Sequence, residues 1–240
     1  MARWQDIRLT RRAESDRDAR ARAIKERTLE VGRDPMILIA MKHRDRSRPP
    51  LEMGTARVEA FSDAVMAVII TIMAFELRAP RAATWDAVRA QLPGLLVYVL
   101  SFTYVGIYWN NHHHLLRAAD RISGGAMWAN LFLLFWLSLV PVLTEWLRDQ
   151  YRHALPAAAY GAVALAAGFA YWILVRALIR ANGRESALAE AIGSDVKGYA
   201  SLVLYAAGVG FAFVSPWISY VVYASVALMW FIPDRRFSRT

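Results

Sequence analysis

The sequence contains no cysteine, and this absence excludes disulfide frameworks, thiolate metal sites and cysteine nucleophiles. It also lacks a phosphate-binding loop, a dinucleotide fingerprint, an HExxH zinc motif and a nucleophile elbow. The sequence does not combine a nucleophile, a base and an orienting group at a plausible catalytic site. We therefore expect a protein that is not an enzyme, has no cofactor and has no nucleic-acid partner.

Charged residues are scarce inside a few long apolar blocks, although the chain as a whole is basic. Of its 240 residues, 57% are hydrophobic and 20% are charged, and the formal net charge is +9. A soluble domain of this length would spread its charges along every amphipathic helix. Here they crowd residues 1–57 and the short connections further on. This segregation predicts a protein embedded in a lipid bilayer.

Six apolar blocks have about the length of a helix that crosses a bilayer, roughly 20 residues. They lie at residues 58–77, 92–111, 126–147, 155–179, 199–214 and 217–232. The fold class predicted is all-α, a polytopic membrane protein with six transmembrane helices per subunit within residues 53–233. We expect Pro141 to bend the third helix and Pro216 to start the last helix of a tight hairpin.

Lys and Arg residues are unevenly distributed between the two sides of the predicted membrane segment. If the N-terminus is cytosolic, the opposite side carries only Arg78, Arg81, Arg89, Arg148 and Arg152. The positive-inside rule then places both termini, including the tail at 234–240, in the cytosol. The first apolar stretch, 36–41, is too short for a signal peptide, so we expect a multi-pass protein of the cell membrane that is directed there by its own helices.

Residues 1–52 form a separate basic segment, which we expect to be a flexible cytosolic arm. Two alternatives stay open. Residues 17–30 have the composition of a helix that lies on anionic lipid, and Met53 offers a natural start of translation just before the first span. No function is assigned to the arm.

The first span is the most polar of the six, because Glu59, Ser62, Asp63, Thr71 and Glu76 interrupt it. A carboxylate in hydrocarbon is strongly unfavourable, so we predict that this helix lies at the centre of an oligomer. At 100° per residue, one stripe is formed by Arg57, Phe61, Ala64, Val68, Thr71 and Phe75, with Ile72 beside it and Asp63 on another face. Such a stripe indicates either a narrow pore lining or ordinary interhelical packing.

Polar residues of three spans are expected at one membrane depth. Ser62 and Asp63 begin the first span, the second delivers Asn110, Asn111 and His112–His114, and the third brings Trp128 and Asn130. These groups can satisfy one another's hydrogen bonds. Three consecutive histidines point in three directions, which disfavours a metal site, and no facing histidine suits haem. A histidine that exchanges protons with Asp63 stays an alternative to a purely structural one.

Three motifs in this order resemble one family. The sequence RVEAFSD at 57–63 is similar to the RxxxFSD signature of the transmembrane protein 175 family, the lysosomal potassium channels and their bacterial relatives. YWNNHH at 108–113 and WANL at 128–131 resemble further stretches of that family. The likeness covers about residues 53–233.

The resemblance implies a homotetramer of six-helix subunits in which four first helices surround a pore for K⁺, without a TVGYG filter. Carried over by position, Val68 forms a hydrophobic constriction, although Ile or Leu is more usual there, and Thr71 adds a ring of hydroxyls. The predicted pore residues are Val68, Thr71, Ile72 and Phe75. The predicted hydrogen-bonded layer comprises Arg57, Phe61, Ser62, Asp63, Asn110, His112, His113 and Asn130.

Two other classes of function remain open from the sequence. One is a proton-coupled carrier of a small solute or cation that uses Asp63 with a neighbouring histidine. The other is a non-conducting membrane scaffold whose basic arm binds lipid or a partner. Single-channel currents distinguish a channel from a carrier, and absence of any flux from purified vesicles favours the scaffold.

Overall fold

The computed structural model describes residues 54–193 and 195–231, and within these ranges every regular element is an α-helix. The helices are α1 (Thr55–Phe75), α2 (Trp85–Arg117), α3 (Gly124–Ser138), α4 (Val140–Asp149), α5 (Ala154–Asn182), α6 (Ala187–Ile192), α7 (Val196–Phe211) and α8 (Pro216–Phe231). The arm predicted at 1–52 and the tail predicted at 234–240 lie outside the described residues.

Four helical stretches are long and apolar enough to cross a membrane. They are α1, α2, the α3–α4 pair taken as Gly124–Asp149, and α5. The helices α7 and α8 are apolar but have only 16 residues each. Each of the six predicted blocks therefore contains a helix, and four of these helices meet the length that a bilayer requires.

The second helix is longer than the block predicted at 92–111. It begins at Trp85, where the Thr84 hydroxyl accepts a hydrogen bond from the Ala87 N–H at 3.3 Å and Asp86 occupies the first turn. It ends at Arg117. The extra turns at both ends contain polar residues, so they were not part of the apolar block predicted from the sequence. The short helix α6 was not predicted.

The third span is divided in two near its centre. Helix α3 ends at Ser138 and α4 begins at Val140, with Pro141 in the first turn of α4. Proline lacks an N–H, and the first turn of a helix is where no intrahelical partner for that group is needed. The helix is interrupted only at Leu139, two residues before Pro141, and the bend expected at Pro141 stays a prediction.

For description we call α1 to α4 the front group and α5, α7 and α8 the rear group, and α3 packs against α5 where the two groups meet. In the rear group the ring of Tyr223 lies against Gly161 and Gly208, where a Cβ would come within 1.9 Å and 2.4 Å of ring or hydroxyl atoms. The Tyr223 hydroxyl donates to the Ala157 carbonyl at 3.1 Å. Glycine at these two positions is what allows the three helices to approach one another.

Candidate functional site

Helix α1 has one buried face and one uncovered face. The buried side chains are Val58, Ser62, Met66, Ile69 and Met73, which recur at intervals of three or four residues and pack towards α2, α3 and α4. The opposite side of the helix is not covered by any of the described residues. A helix that carries several polar residues therefore presents an entire face to lipid, to water or to another subunit.

The six residues of the predicted stripe and the neighbouring Ile72 all lie on the uncovered face. Val68 is 57% exposed, Ile72 is 45% exposed and Phe75 is 82% exposed. Arg57, Phe61, Ala64 and Thr71 are exposed as well. Among the described residues, none of the stripe is buried against another helix, and the choice between a pore lining and interhelical packing in an assembly stays open.

A line of small side chains runs beside these larger residues on the same face. Ala60, Ala64, Ala67, Thr71 and Ala74 are all exposed and follow the helical repeat. The Thr71 hydroxyl donates to the Ala67 carbonyl at 2.8 Å, so its oxygen lone pairs remain available on the uncovered side. Small residues in this arrangement permit close approach of another helix.

Three of the predicted polar residues form a buried chain that joins three helices. The Asn130 amide nitrogen donates to the Ser62 hydroxyl at 2.9 Å, and the Asn130 amide oxygen accepts from His112 Nε2 at 2.7 Å. The Ser62 hydroxyl donates onward to the Val58 carbonyl at 2.8 Å. Because an amide oxygen only accepts, this chain places the His112 proton on Nε2. Side chains of α1, α2 and α3 are thereby held at one depth.

A second contact between α1 and α2 was not predicted. Nδ1 of His113 lies 2.7 Å from Oε1 of Glu59, and the Trp109 ring stacks on the His113 ring at 6.1 Å between centroids. Glu59 was noted only as an interruption of the first span. The signal that identifies it is its spacing, because Glu59 lies one turn before Asp63 and His113 follows His112 on the adjacent side of α2.

Asp63 does not hydrogen-bond to a histidine in the part of the chain that the structure describes. Its Oδ1 atom is buried and has no hydrogen-bond partner there, and the same is true of Nδ1 of His112. The alternative in which Asp63 pairs with a neighbouring histidine is therefore not observed among the described residues. A buried carboxylate oxygen without a partner is unfavourable, so Asp63 needs a hydrogen-bond donor that the described residues do not supply.

The other residues predicted for this layer are not drawn into it. Arg57, Phe61 and Asn110 are exposed. The neighbouring Asn111 instead donates to the Ile107 carbonyl of its own helix at 2.8 Å. Rotation of α2 about its axis decides this outcome, because His112 faces α3 and Asn110, two residues earlier, points away from it.

The C-terminal end of α1 is held by α4 through residues that the sequence did not identify. A guanidinium N–H of Arg148 donates to the Glu76 carbonyl at the end of α1. One turn earlier in α4, the Thr144 hydroxyl oxygen lies 2.7 Å from the Ser101 hydroxyl oxygen and 3.8 Å from the Met73 sulfur. A cation at a helix C-terminus is favourable. Helix α1 is thus anchored at both ends, and one of its two faces is uncovered along the helix.

Comparison with known proteins agrees with this architecture. Residues 57–141, which run from the start of α1 to the first turn of α4, match the family model described as "Endosomal/lysosomal potassium channel TMEM175". Potassium channel HX13_20290 of Chryseobacterium sp. (strain P1-3) is 46% identical over 188 residues, which cover 78% of this chain and 98% of that protein. Potassium channel B446_29190 of Streptomyces collinus is 33% identical over 186 residues, which cover 72% of this chain and 90% of that protein.

A solved structure shows the same arrangement of helices. The crystal structure of a lysosomal potassium-selective channel TMEM175 homolog from Chamaesiphon minutus superposes with a TM-score of 0.65 at 25% sequence identity, covering 73% of this chain and 95% of that one. The residues that match the family model, 57–141, contain most of α1 and all three members of the buried Ser62–Asn130–His112 chain. The chain therefore belongs to the TMEM175 family of potassium channels, membrane proteins that are ion channels and not enzymes.

Proposed function

We propose that this protein is the subunit of a homotetrameric, potassium-permeable cation channel of the cell membrane, with α1 lining a central pore. The observation that carries the proposal is the uncovered face of α1, which presents Val68, Thr71, Ile72 and Phe75 while the opposite face is buried. The relatives in Chryseobacterium and Streptomyces are named potassium channels, which supports K⁺ as the permeating ion.

The proposed membrane arrangement has six spans, with both termini in the cytosol. Helices α7 and α8 of 16 residues each extend about 24 Å at 1.5 Å per residue, slightly less than the hydrocarbon thickness of about 30 Å. Local thinning of the bilayer compensates for a short helix at modest cost. The excess of Lys and Arg on the side of residues 1–57 supports the orientation.

A tetramer explains two features that a single subunit leaves incomplete. The line of alanines with Thr71 gives neighbouring copies of α1 a surface on which their backbones approach closely. The buried Oδ1 of Asp63, which has no partner in the described part of the chain, gains a donor when a neighbouring subunit or an enclosed water molecule completes the site. We therefore assign Asp63 to assembly.

The proposed constriction forms where four Val68 side chains meet. A narrow apolar ring excludes water, so an ion must shed part of its hydration shell to pass. Thr71 lies one turn further along α1, and its hydroxyl already donates to the Ala67 carbonyl. Four such hydroxyl oxygens turn their lone pairs to the pore and replace part of the lost hydration.

Recording from the purified full-length chain in planar bilayers tests the proposal. We expect unitary current steps with K⁺ and smaller steps after exchange for Na⁺. Saturable uptake driven by a pH gradient, without unitary currents, would instead identify the carrier. The carrier would use a hydrogen bond between Asp63 and a histidine, and the described residues do not form one.

Assembly is tested separately with Asp63→Ala. We expect loss of the tetramer on size-exclusion chromatography with light scattering. An Asp63→Ala protein that remains tetrameric but prefers a different ion would contradict the assembly role and place Asp63 in the ion pathway instead.

A further inference from the structure

A cavity of about 320 Å³ opens between the start of α3 and the last turns of α5, away from α1. Its lining combines two arginines with an apolar wall and the first turn of a helix. The lining residues are Ser123, Gly125, Trp172, Ile173, Arg176, Ala177 and Arg180. We call it the arginine cavity. It contains no residue of the proposed pore or of the polar chain that anchors α1.

The arginine cavity is positively charged, and no carboxylate of the described residues neutralises it. Arg180 is exposed, and in the part of the chain that the structure describes neither Arg176 nor Arg180 forms an ion pair with a carboxylate. Arg176 is held in place, because it donates to the Tyr199 hydroxyl at 2.8 Å and lies 5.2 Å from the Trp172 ring centre. Of its five N–H groups, the described residues accept from only one, which leaves the others for an anion.

The first turn of α3 adds backbone donors to the same cavity. The Ser123 hydroxyl accepts from the Ala126 N–H at 3.2 Å, but the helix itself supplies no partner for the N–H groups of Gly124 and Gly125. Glycine keeps access to them open, since a Cβ on Gly125 would meet only the Ser123 hydroxyl at 3.8 Å and one on Gly124 would meet nothing within 4 Å. Exposed N–H groups at a helix start favour an anion.

The depth of the cavity identifies the source of that anion. The aromatic side chains Trp172 and Tyr199 lie next to Arg176, and this combination of amphipathic rings and arginine at a helix end marks the boundary between hydrocarbon and headgroups. Below the arginines, Ile173 and Ala177 form an apolar surface along α5. A phosphate at the arginines and an acyl chain along this surface satisfy both halves of the cavity.

We infer that the arginine cavity binds one anionic phospholipid, whose phosphate is held by Arg176, Arg180 and the first N–H groups of α3. Basic pockets between transmembrane helices on the cytosolic side are sites of this kind. Arg176 and Arg180 lie on the side of the membrane that the distribution of Lys and Arg places in the cytosol, where anionic headgroups are attracted by basic residues.

Native mass spectrometry of the full-length protein, titrated with phosphatidylglycerol or phosphatidylcholine, tests the inference. We expect preferential retention of phosphatidylglycerol, and Arg180→Gln should lower it about fivefold, since one surface arginine contributes about 1 kcal/mol. The matched control is Arg184→Gln, which removes the same charge two residues beyond α5 and outside the cavity, and which should retain the lipid within a factor of about two. Equal losses in both variants would overturn the site in favour of diffuse attraction.

A second variant separates lipid binding from stability. Gly125→Asp places a carboxylate in the cavity and also favours the start of α3, so lipid retention should fall while the thermal unfolding temperature stays constant or rises. An unchanged lipid signal in Gly125→Asp overturns the inference. Addition of inorganic phosphate identifies the source: retention of phosphatidylglycerol in its presence supports a lipid site, and its displacement by phosphate would show a site for the free ion.

Discussion

The front and rear groups of helices are held together by different physical means. In the front group, buried polar side chains join α1, α2 and α3 through the Ser62–Asn130–His112 chain. In the rear group, the Tyr223 ring packs against two glycines, and the Tyr223 and Ser219 hydroxyls donate to backbone carbonyls of the neighbouring helices. Hydrogen bonds fix the depth and rotation of α1 while leaving its other face uncovered. Close packing of small and large residues instead covers the rear helices on the sides where they meet.

The largest effect is expected from filling the glycine contact of the rear group. Gly161→Leu puts a branched side chain where even a Cβ would come within 1.9 Å of the Tyr223 hydroxyl oxygen. Overpacking of this severity should lower the free energy of unfolding by about 3 kcal/mol or more. Thermal unfolding in detergent measures it. Gly210→Ala is the control, because a Cβ there meets nothing within 4 Å, and it should be neutral or slightly stabilising.

Breaking the polar chain of the front group should have the next largest effect. Asn130→Leu removes the partner of both His112 and Ser62, and each unsatisfied buried group costs about 1–3 kcal/mol. We expect earlier unfolding and weaker anchoring of α1 in the same thermal assay. Asn110→Leu changes an exposed asparagine and should shift the free energy of unfolding by less than about 0.5 kcal/mol. Equal shifts in the two variants would show that the buried Asn130 contributes no more to stability than the exposed Asn110.

A change on the uncovered face of α1 should alter permeation more than stability. Val68→Asn wets the proposed constriction, and we expect liposome K⁺ flux to rise about tenfold, equivalent to a barrier lower by about 1.4 kcal/mol. Val68→Ile should reduce flux, because the larger side chains narrow the proposed constriction. Val221→Asn alters a similarly exposed valine of α8 and should leave flux unchanged. Unchanged flux in Val68→Asn would remove this residue from the constriction.

The smallest effect is expected at the neighbouring hydroxyl. Thr71→Val removes an exposed hydroxyl that bonds only within its own helix, so unfolding should change by less than about 0.5 kcal/mol. The K⁺ to Na⁺ current ratio should fall about threefold, because the pore loses oxygen ligands that each contribute about 0.5–1.5 kcal/mol at most. Thr71→Ser retains the hydroxyl and should retain the ratio. Loss of selectivity in Thr71→Ser, which keeps the hydroxyl, would contradict the role assigned to the hydroxyl.

Part of the polar layer was predictable and part was not. The spacing of Ser62, His112 and Asn130 in three successive spans places them at one depth, and the structure joins them. The pairing of His113 with Glu59 and the isolation of one Asp63 oxygen were not predicted. Depth follows from chain order and helix rise, whereas the choice between neighbouring carboxylates depends on helix rotation, which no local pattern specifies.

The anchoring of the C-terminal end of α1 by α4 was likewise not predictable from the sequence. Arg148 appears in the sequence as one of the few basic residues on its side of the membrane, and nothing local assigns it to Glu76, which lies 72 positions earlier. Long-range contacts of this kind depend on the angle between helices, so they appear only when the helices are assembled.

The sequence by itself determined that this is a helical membrane protein, which segments are apolar, which of them is too polar for lipid on all sides, and to which family the chain belongs. These properties reside in composition, run length and motif order, each of which is local. Only the tertiary structure decided which face of α1 is buried, which histidine bonds to Asn130 and how Tyr223 fits between two glycines. Those outcomes depend on the rotation and crossing of helices, which are set by the packing of all of them together.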